Sequence, residues 1–290
     1  MSVIQSSGDK VFRFFNYIVL AIIGIICLFP FMNVLAKSLS AEGFVVAGEV
    51  FLLPKGFNVK AYIYILTNQS FWRSMGNSVY VTLAGTALNT ILTLFVAYTV
   101  SRKHVVGRSL IMFLYIFTMM FSGGMIPTYL VVRQFQLVDK LEALYIPGLV
   151  SAFNLTIMRN YFATIPDSLE ESARIDGAGN LRILFRIMIP LALPSIATIS
   201  LFVMVGYWND YLGPLIYITS TGNRTLQVFL RGIVNASKDI NMNDFDSLSD
   251  LSLETIRGAT VFAATFPILL VYPFLQKYFV AGATVGAVKQ

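Results

Sequence analysis

The residues that could do chemistry are few, and they are gathered in two places. Between Pro166 and Pro190 stand Asp167, Glu170, Glu171, Arg174, Asp176, Arg182 and Arg186, a dense charged patch in a chain that is only 12% charged. Further on, Trp208, Asn209, Asp210 and Tyr211 lie in a long apolar stretch, where Asp210 is the one acid. Asn154, Asn89 and Thr93 are polar residues in other apolar stretches. An ionisable group inside a membrane-spanning segment is a functional candidate by default. Aromatic faces with amide partners would suit a sugar, but the same residues suit an aromatic belt at the membrane interface. Asn89, Thr93 and Asn154 would equally serve as helix-to-helix hydrogen bonds.

Other chemistries find no residues. There is one histidine, His104, and one cysteine, Cys27, which cannot make a zinc site or a disulfide scaffold. A Ser-His-Asp arrangement would have to draw His104 out of a basic loop. No Gly-x4-Gly-Lys-Ser/Thr phosphate loop occurs. The reading therefore assigns no catalytic residue, no metal and no cofactor to this chain.

The elements that carry these residues follow from composition. Of 290 residues, 56% are hydrophobic and 24 are Phe. Soluble domains carry about 25% charged residues, twice the fraction here, and so apolar a chain is not disordered. The net charge of +6 is scattered among loops, which suits membrane-flanking positions rather than nucleic acid. Continuous apolar runs, not short alternating ones, select helices over a barrel in the bilayer. Six runs reach the roughly 20 residues a span needs: 14–36, 77–100, 109–132, 143–165, 191–218 and 259–280. The expected fold is an all-α membrane protein, a single six-helix transmembrane domain over 1–290. Gly123, Gly124 and Pro127 should break or kink the third run, and Pro267 and Pro273 the sixth. The first run lacks a clear cleavage site and reads as a retained helix.

The short loop 101–108 holds Arg102, Lys103 and Arg108 without an acid, whereas loop 133–142 is balanced. Basic short loops stay inside, which places both termini, and segment 166–190, in the cytoplasm. Segments 37–76 and 219–258 then face outward.

Within 166–190, Ser168 with Glu171, or Asp167 with Glu170, forms a capping-box pattern that starts a short helix after Pro166. Gly177 ends it. A second short helix, roughly 180–187, has an apolar face of Leu181, Leu184, Phe185 and Met188, and Pro190 and Pro194 stop it and open the fifth span. Glu170, Glu171, Arg174 and Asp176 would project into the cytosol. Counted from Pro190, Asp210 falls about 30 Å along that span, near the outer face.

The spacing Glu171-Ser172-Ala173-x3-Gly177, nine residues, then Ile187-x-Ile189-Pro190 resembles the EAA motif of bacterial ABC importer permeases. Ser172 and Ile189 depart from the pattern in size-tolerant ways. Ile175-Asp176-Gly177-Ala178, the stretch 208–215 and the ending 272–289 resemble the carbohydrate branch, of the MalG-like, LplC/YtcP type. The resemblance runs from about Phe14 to the C-terminus. It implies a type I ABC importer permease architecture, with Glu170, Glu171, Ala173, Asp176, Gly177 and Ala178 in a helix that docks on an ATPase subunit. Trp208, Asn209, Asp210, Tyr211 and Asn154 are then candidates for the translocation path. The implied partners are a second homologous permease, a cytoplasmic dimer of ATP-binding subunits that uses the ATP, an extracellular substrate-binding protein and the lipid bilayer of the bacterial plasma membrane. The competing readings are an ABC permease for a non-sugar solute and an ion-coupled secondary transporter. The second would need carboxylates deep in the helices and, commonly, internal repeats, which are not evident. A membrane enzyme would need a catalytic cluster that the chain lacks.

Overall fold

The computed structural model describes residues 7–235, 253–267 and 270. Among them every regular element is helical: α1 (Ser7–Ser38), α2 (Glu42–Val46), α3 (Lys60–Thr67), α4 (Gln69–Ser101), α5 (Arg108–Met120), α6 (Met125–Gln134), α7 (Ala152–Thr164) and α8 (Asp167–Ile175). The long α9 (Asn180–Asn209) follows, then α10 (Leu212–Tyr217) and α11 (Leu226–Asn235). A last helix occupies 253–267.

Three of these helices are long and apolar enough to cross a membrane: Phe12–Ser38, Gln69–Ser101 and Asn180–Asn209, of 27, 33 and 30 residues. The other expected spans take different forms. Run 109–132 is two helices, because the chain leaves α5 at Phe121 and turns at Gly124, whose φ is +85°. Pro127 then sits in the first turns of α6, where a missing N–H costs nothing. Run 143–165 is two tight turns, Leu141–Leu144 and Ile146–Gly148, followed by α7 at a bend of 51°. Most of run 259–280 lies outside the described residues.

The fifth span differs most. Pro190 and Pro194 do not stop a separate short helix; one helix runs from Asn180 to Asn209. A wide π turn over Leu184–Met188 precedes Pro190. That turn leaves Pro190 at the start of the next α segment, where its absent N–H breaks no bond. The second short helix expected at 180–187 and the fifth span are therefore continuous, while α8 stays separate behind the Gly177 turn.

The described residues divide into two compact units, one formed by those up to Gln69 with those of Leu230–Phe266, the other built on Ser70–Phe229. In the first, α1 lies close to the helix at 253–267. A Cβ on Gly258 would come within 3.1 Å of the Val34 carbonyl oxygen, and Lys37 pairs with Glu254 at 3.3 Å. Asn33 donates to the Phe51 carbonyl at 2.7 Å and folds the following loop back on α1. In the second unit, one buried cluster joins α4, α7, α8 and α9 through Ala97, Tyr98, Leu155, Met158, Phe162, Ala173, Ile183, Leu184, Met188 and Ile199. The short helix α8 is thus packed into the same core as the long helices, through Ala173.

Candidate functional site

The segment after α7 is built from the backbone outward. Ile165 and Pro166 are extended, and α8 begins at once with Asp167. Neither capping-box register forms: Pro166 holds the N-cap position and no side chain caps the helix. The acids Asp167 and Glu170 occupy its first turn instead, where the helix dipole favours negative charge. At the other end, Ala178 N–H bonds the Ala173 carbonyl at 2.9 Å and Gly177 N–H bonds the Arg174 carbonyl at 3.0 Å. That pair of bonds is a Schellman stop, and it needs a left-handed residue; Gly177 supplies it with φ +76°. Gly179 is extended and α9 starts at Asn180.

The side chains of α8 divide into two faces. Glu171, Asp176 and Gly177 are exposed, Ala178 is half-buried, and Ala173 is buried. Glu170 does not project into the cytosol as the sequence suggested; it is 5% exposed. One turn from Ala173, it shares the face that meets the core, and three donors meet it there. Arg102 Nη1 lies 2.9 Å from Oε2, Arg174 Nη2 lies 2.7 Å from Oε1, and the Tyr98 hydroxyl donates to Oε1 at 3.4 Å. Arg102 is equally well held. Its Nη2 donates to the Phe162 carbonyl at 2.9 Å, its Nε to Ser101 at 3.0 Å, and its guanidinium stands 5.3 Å from the Tyr98 ring centre. A buried ion pair is tolerable only when its remaining donors and acceptors are also satisfied, and here they are. The Glu170 carboxylate also pushes the Arg174 guanidinium's pKa up. Asp167, on the open side, makes only longer pairs, 3.6 Å to Arg102 and 3.5 Å to Lys103.

The outcome is a helix stapled by Glu170 to the ends of α4 and α7, with Glu171 left free on its outer side. A cleft of about 450 Å³ runs beside it, lined by Arg102, Lys103, His104, Asp167, Glu170, Glu171 and Arg174. Ile175 is 87% exposed and Leu181 63%, so apolar side chains stand in the open among these charges. Of the expected apolar face, Leu184 and Met188 are buried, and Leu181 and Phe185 are exposed. Sequence reasoning missed Arg102 as a partner of Glu170. Its signal was a basic residue at the end of a long apolar helix, which reads as ordinary membrane flanking.

The second candidate group lies at the other end of α9. Trp208 is buried and its carbonyl accepts from Gln227 at 3.1 Å. Asn209 is exposed and bonds back to the Val205 carbonyl at 3.0 Å. Asp210 is not inside a helix: the helix ends at Asn209 and Asp210 is its extended C-cap. One carboxylate oxygen accepts from Gly213 N–H at 3.1 Å, and the other would collide with any Cβ at 213. Asp210 is therefore a turn-former between α9 and α10, and Tyr211 is half-buried beside it. Asn154 is buried on α7 and makes no hydrogen bond to this group. Asn89 donates to the Gly148 carbonyl at 3.3 Å, which ties α4 to the turn before α7, and accepts from Thr93 on its own helix at 3.4 Å. Nearby, Asp139 takes the amides of Thr219 and Ser220 at 3.0 and 2.8 Å. Those bonds, Ser220's first, hold its carboxyl below the usual carboxylate range.

Among the described residues no group of His, Cys, Asp and Glu could hold a metal ion.

Comparison with known proteins agrees with this architecture. The chain is 44% identical over 283 residues to the polygalacturonan/rhamnogalacturonan transport system permease protein YtcP of Bacillus subtilis, covering 97% of this chain and 99% of that one. It is 41% identical to protein LplC of the same organism, with 98% and 97% covered. A chain of a bacterial ABC transporter involved in the import of the acidic polysaccharide alginate superposes with a TM-score of 0.90 at 34% identity, covering 96% of this chain and 100% of that one. The family described as binding-protein-dependent transport system inner membrane component matches residues 3–285. The chain belongs to that family and is a multi-pass membrane permease component rather than an enzyme.

Proposed function

We propose that the chain is one of two transmembrane subunits of an ATP-driven importer of acidic oligosaccharides, coupled to a separate ATPase through α8. The observation that carries this reading is the two-faced helix. Glu170 fixes α8 to the membrane helices, while Glu171 stands exposed at the position the EAA motif reserves for its glutamate. A lever must be stiff at its root and free at its tip, and α8 has both properties. Because α8 shares a buried core with α4, α7 and α9, a push on its outer face moves those helices as one body.

The substrate class rests on the relatives. YtcP is named for polygalacturonan and rhamnogalacturonan, and the superposing transporter for alginate. Both cargoes contain uronate residues. Direct sugar contact by Trp208, Asn209, Tyr211 or Asn154 remains part of the proposal. Asp210 already has a structural role in its turn. The remaining partners are a second permease, two ATP-binding subunits and an external substrate-binding protein. Six spans with both termini inside complete the topology.

The test is to tag the chain, purify it in mild detergent and identify its companions, then measure uptake of labelled oligogalacturonate with and without the chain. Recovery of an ATPase and a second permease, with uptake that depends on ATP, supports the reading. A chain that transports alone, driven by an ion gradient, overturns it. Uptake of neutral but not acidic oligosaccharide would keep the importer and discard the substrate class.

A further inference from the structure

A groove of about 370 Å³ lies between the end of α4, the start of α5 and the last turns of α7. Its lining is Val100, Arg108, Ser109, Met112, Phe113, Ile116 and Arg159, two cations and no acid. The basic residues that follow α4 directly are paired: Arg102 with Glu170 and Lys103 with Asp167. Arg108 and Arg159 are different, for among the described residues neither has a carboxylate within ion-pair distance. Arg159 has one hydrogen bond, from Nη1 to Asn160 at 2.9 Å, and its Nε is sealed from solvent with no acceptor. Two half-buried guanidinium groups lining one groove without a carboxylate call for an anion.

The rest of the groove says which anion. Its walls are apolar, and they run inward from the arginines: Met112 and Phe113 one turn along α5 and Ile116 two turns along, about 12 Å from Arg108. A sugar acid needs hydroxyl and amide partners, and the groove offers only Ser109. A charged mouth on an apolar trough, at the end of a helix that spans a membrane, matches a phosphate headgroup with its acyl chain.

We propose that this groove seats an acidic phospholipid of the phosphatidylglycerol type, its phosphate between Arg108 and Arg159 and one acyl chain against Met112, Phe113 and Ile116. The bidentate fork of each arginine suits a phosphate better than a lysine would. The site lies on the same side of the membrane as α8, and α4 and α7, which form two of its walls, are the helices that Arg102 ties to Glu170.

The experiment uses the full chain purified with the subunits that accompany it, titrated with phosphatidylglycerol or phosphatidylcholine and read by native mass spectrometry. The wild type should retain one more phosphatidylglycerol per copy than the Arg108→Gln/Arg159→Gln variant, with affinity about tenfold higher and no such excess of phosphatidylcholine. Arg186→Gln removes an exposed cation elsewhere and should retain the lipid. Arg108→Lys/Arg159→Lys keeps the charge, guards against loss of folding, and should bind with intermediate strength. Equal retention by wild type and the glutamine variant overturns the proposal, as does equal retention of the two lipids. Displacement of the lipid by oligogalacturonate in wild type alone would assign the arginines to cargo and also overturn it.

Discussion

Glu170 and Glu171 are neighbours in sequence and opposites in setting: Glu170 is 5% exposed beneath three donors, whereas Glu171 lies on the open face of the same helix. Removing one should damage the fold, and removing the other should damage the work done by the fold. Arg102→Ala or Glu170→Ala leaves an uncompensated buried charge and should cost about 3–5 kcal/mol. For a domain of this size that is on the order of ten degrees in the unfolding midpoint. Arg102→Met with Glu170→Leu removes both charges and should recover most of the loss, though Arg174 and the Phe162 carbonyl lose partners. A detergent-phase thermal unfolding series on the four proteins decides it. Equal midpoints for wild type and Glu170→Ala would deny the staple.

Glu171→Ala should leave that midpoint unchanged and lower substrate-stimulated ATPase activity and uptake together. Gly177 offers a finer instrument. Nothing lies within 4 Å of a Cβ built there, but φ is +76°. An alanine therefore fits in space and pays only in backbone strain, about 1–2 kcal/mol. Asn, which tolerates this conformation, should be milder in stability. If Gly177→Asn folds like wild type yet fails to stimulate ATPase activity, the turn is itself a contact surface for the partner. If it stimulates fully, the glycine serves only the Schellman stop.

How far the chain could be read without coordinates depends on which interactions were local. The Gly177 stop, the break near Gly123 and the helical character of the spans follow from short-range chemistry, and they were legible. The Arg102–Glu170 pair joins residues 68 apart in sequence, and nothing in either neighbourhood announces it. Pro190 misled because its usual effect assumes a regular α-helix before it, whereas a π turn precedes it here. Asp210 looked like an acid inside a membrane helix because the apolar run continues past it, although its backbone has already left the helix.

Asp139 gives a pH-dependent prediction. Its carboxylate accepts the Ser220 and Thr219 amides, its own N–H donates to the Tyr217 carbonyl at 2.7 Å, and its φ is +63°. Because those amides hold its folded-state pKa below the usual range, its contribution to stability is complete above the unfolded value of about 3.9. The contribution falls away as pH drops through the lowered folded-state value. Asp139→Asn keeps an oxygen acceptor and tolerates positive φ, but it has no charge to lose. Wild type should therefore unfold at a higher temperature than Asp139→Asn at neutral pH, and the gap should narrow steadily as the pH falls below the unfolded carboxylate range. Asp139→Ala loses both the acceptor and the easy backbone, and it should fall below both at neutral pH. A gap between wild type and Asn that stays constant across the titration would separate the charge from the effect.

The crossing of α4 over its neighbours is set by a missing side chain. A Cβ on Gly85 would stand 2.7 Å from Cε2 of Tyr207 on α9 and 3.0 Å from Cβ of Tyr145. Tyr207 is half-buried and donates to the Tyr145 carbonyl at 3.5 Å, so the three residues form one close layer. Gly85→Ala overpacks it and should cost about 1–3 kcal/mol. Tyr207→Phe removes the hydroxyl but leaves the colliding ring, so it should not relieve the strain. Tyr207→Leu withdraws the ring and should rescue Gly85→Ala in part, leaving the clash with Tyr145 Cβ. The double-mutant cycle for Gly85→Ala and Tyr207→Leu should then show a favourable coupling of about 0.5–3 kcal/mol. Strict additivity would mean that α4 and α9 do not press on each other at this level. In that case a push on α8 would have to reach the far end of α9 along that helix alone.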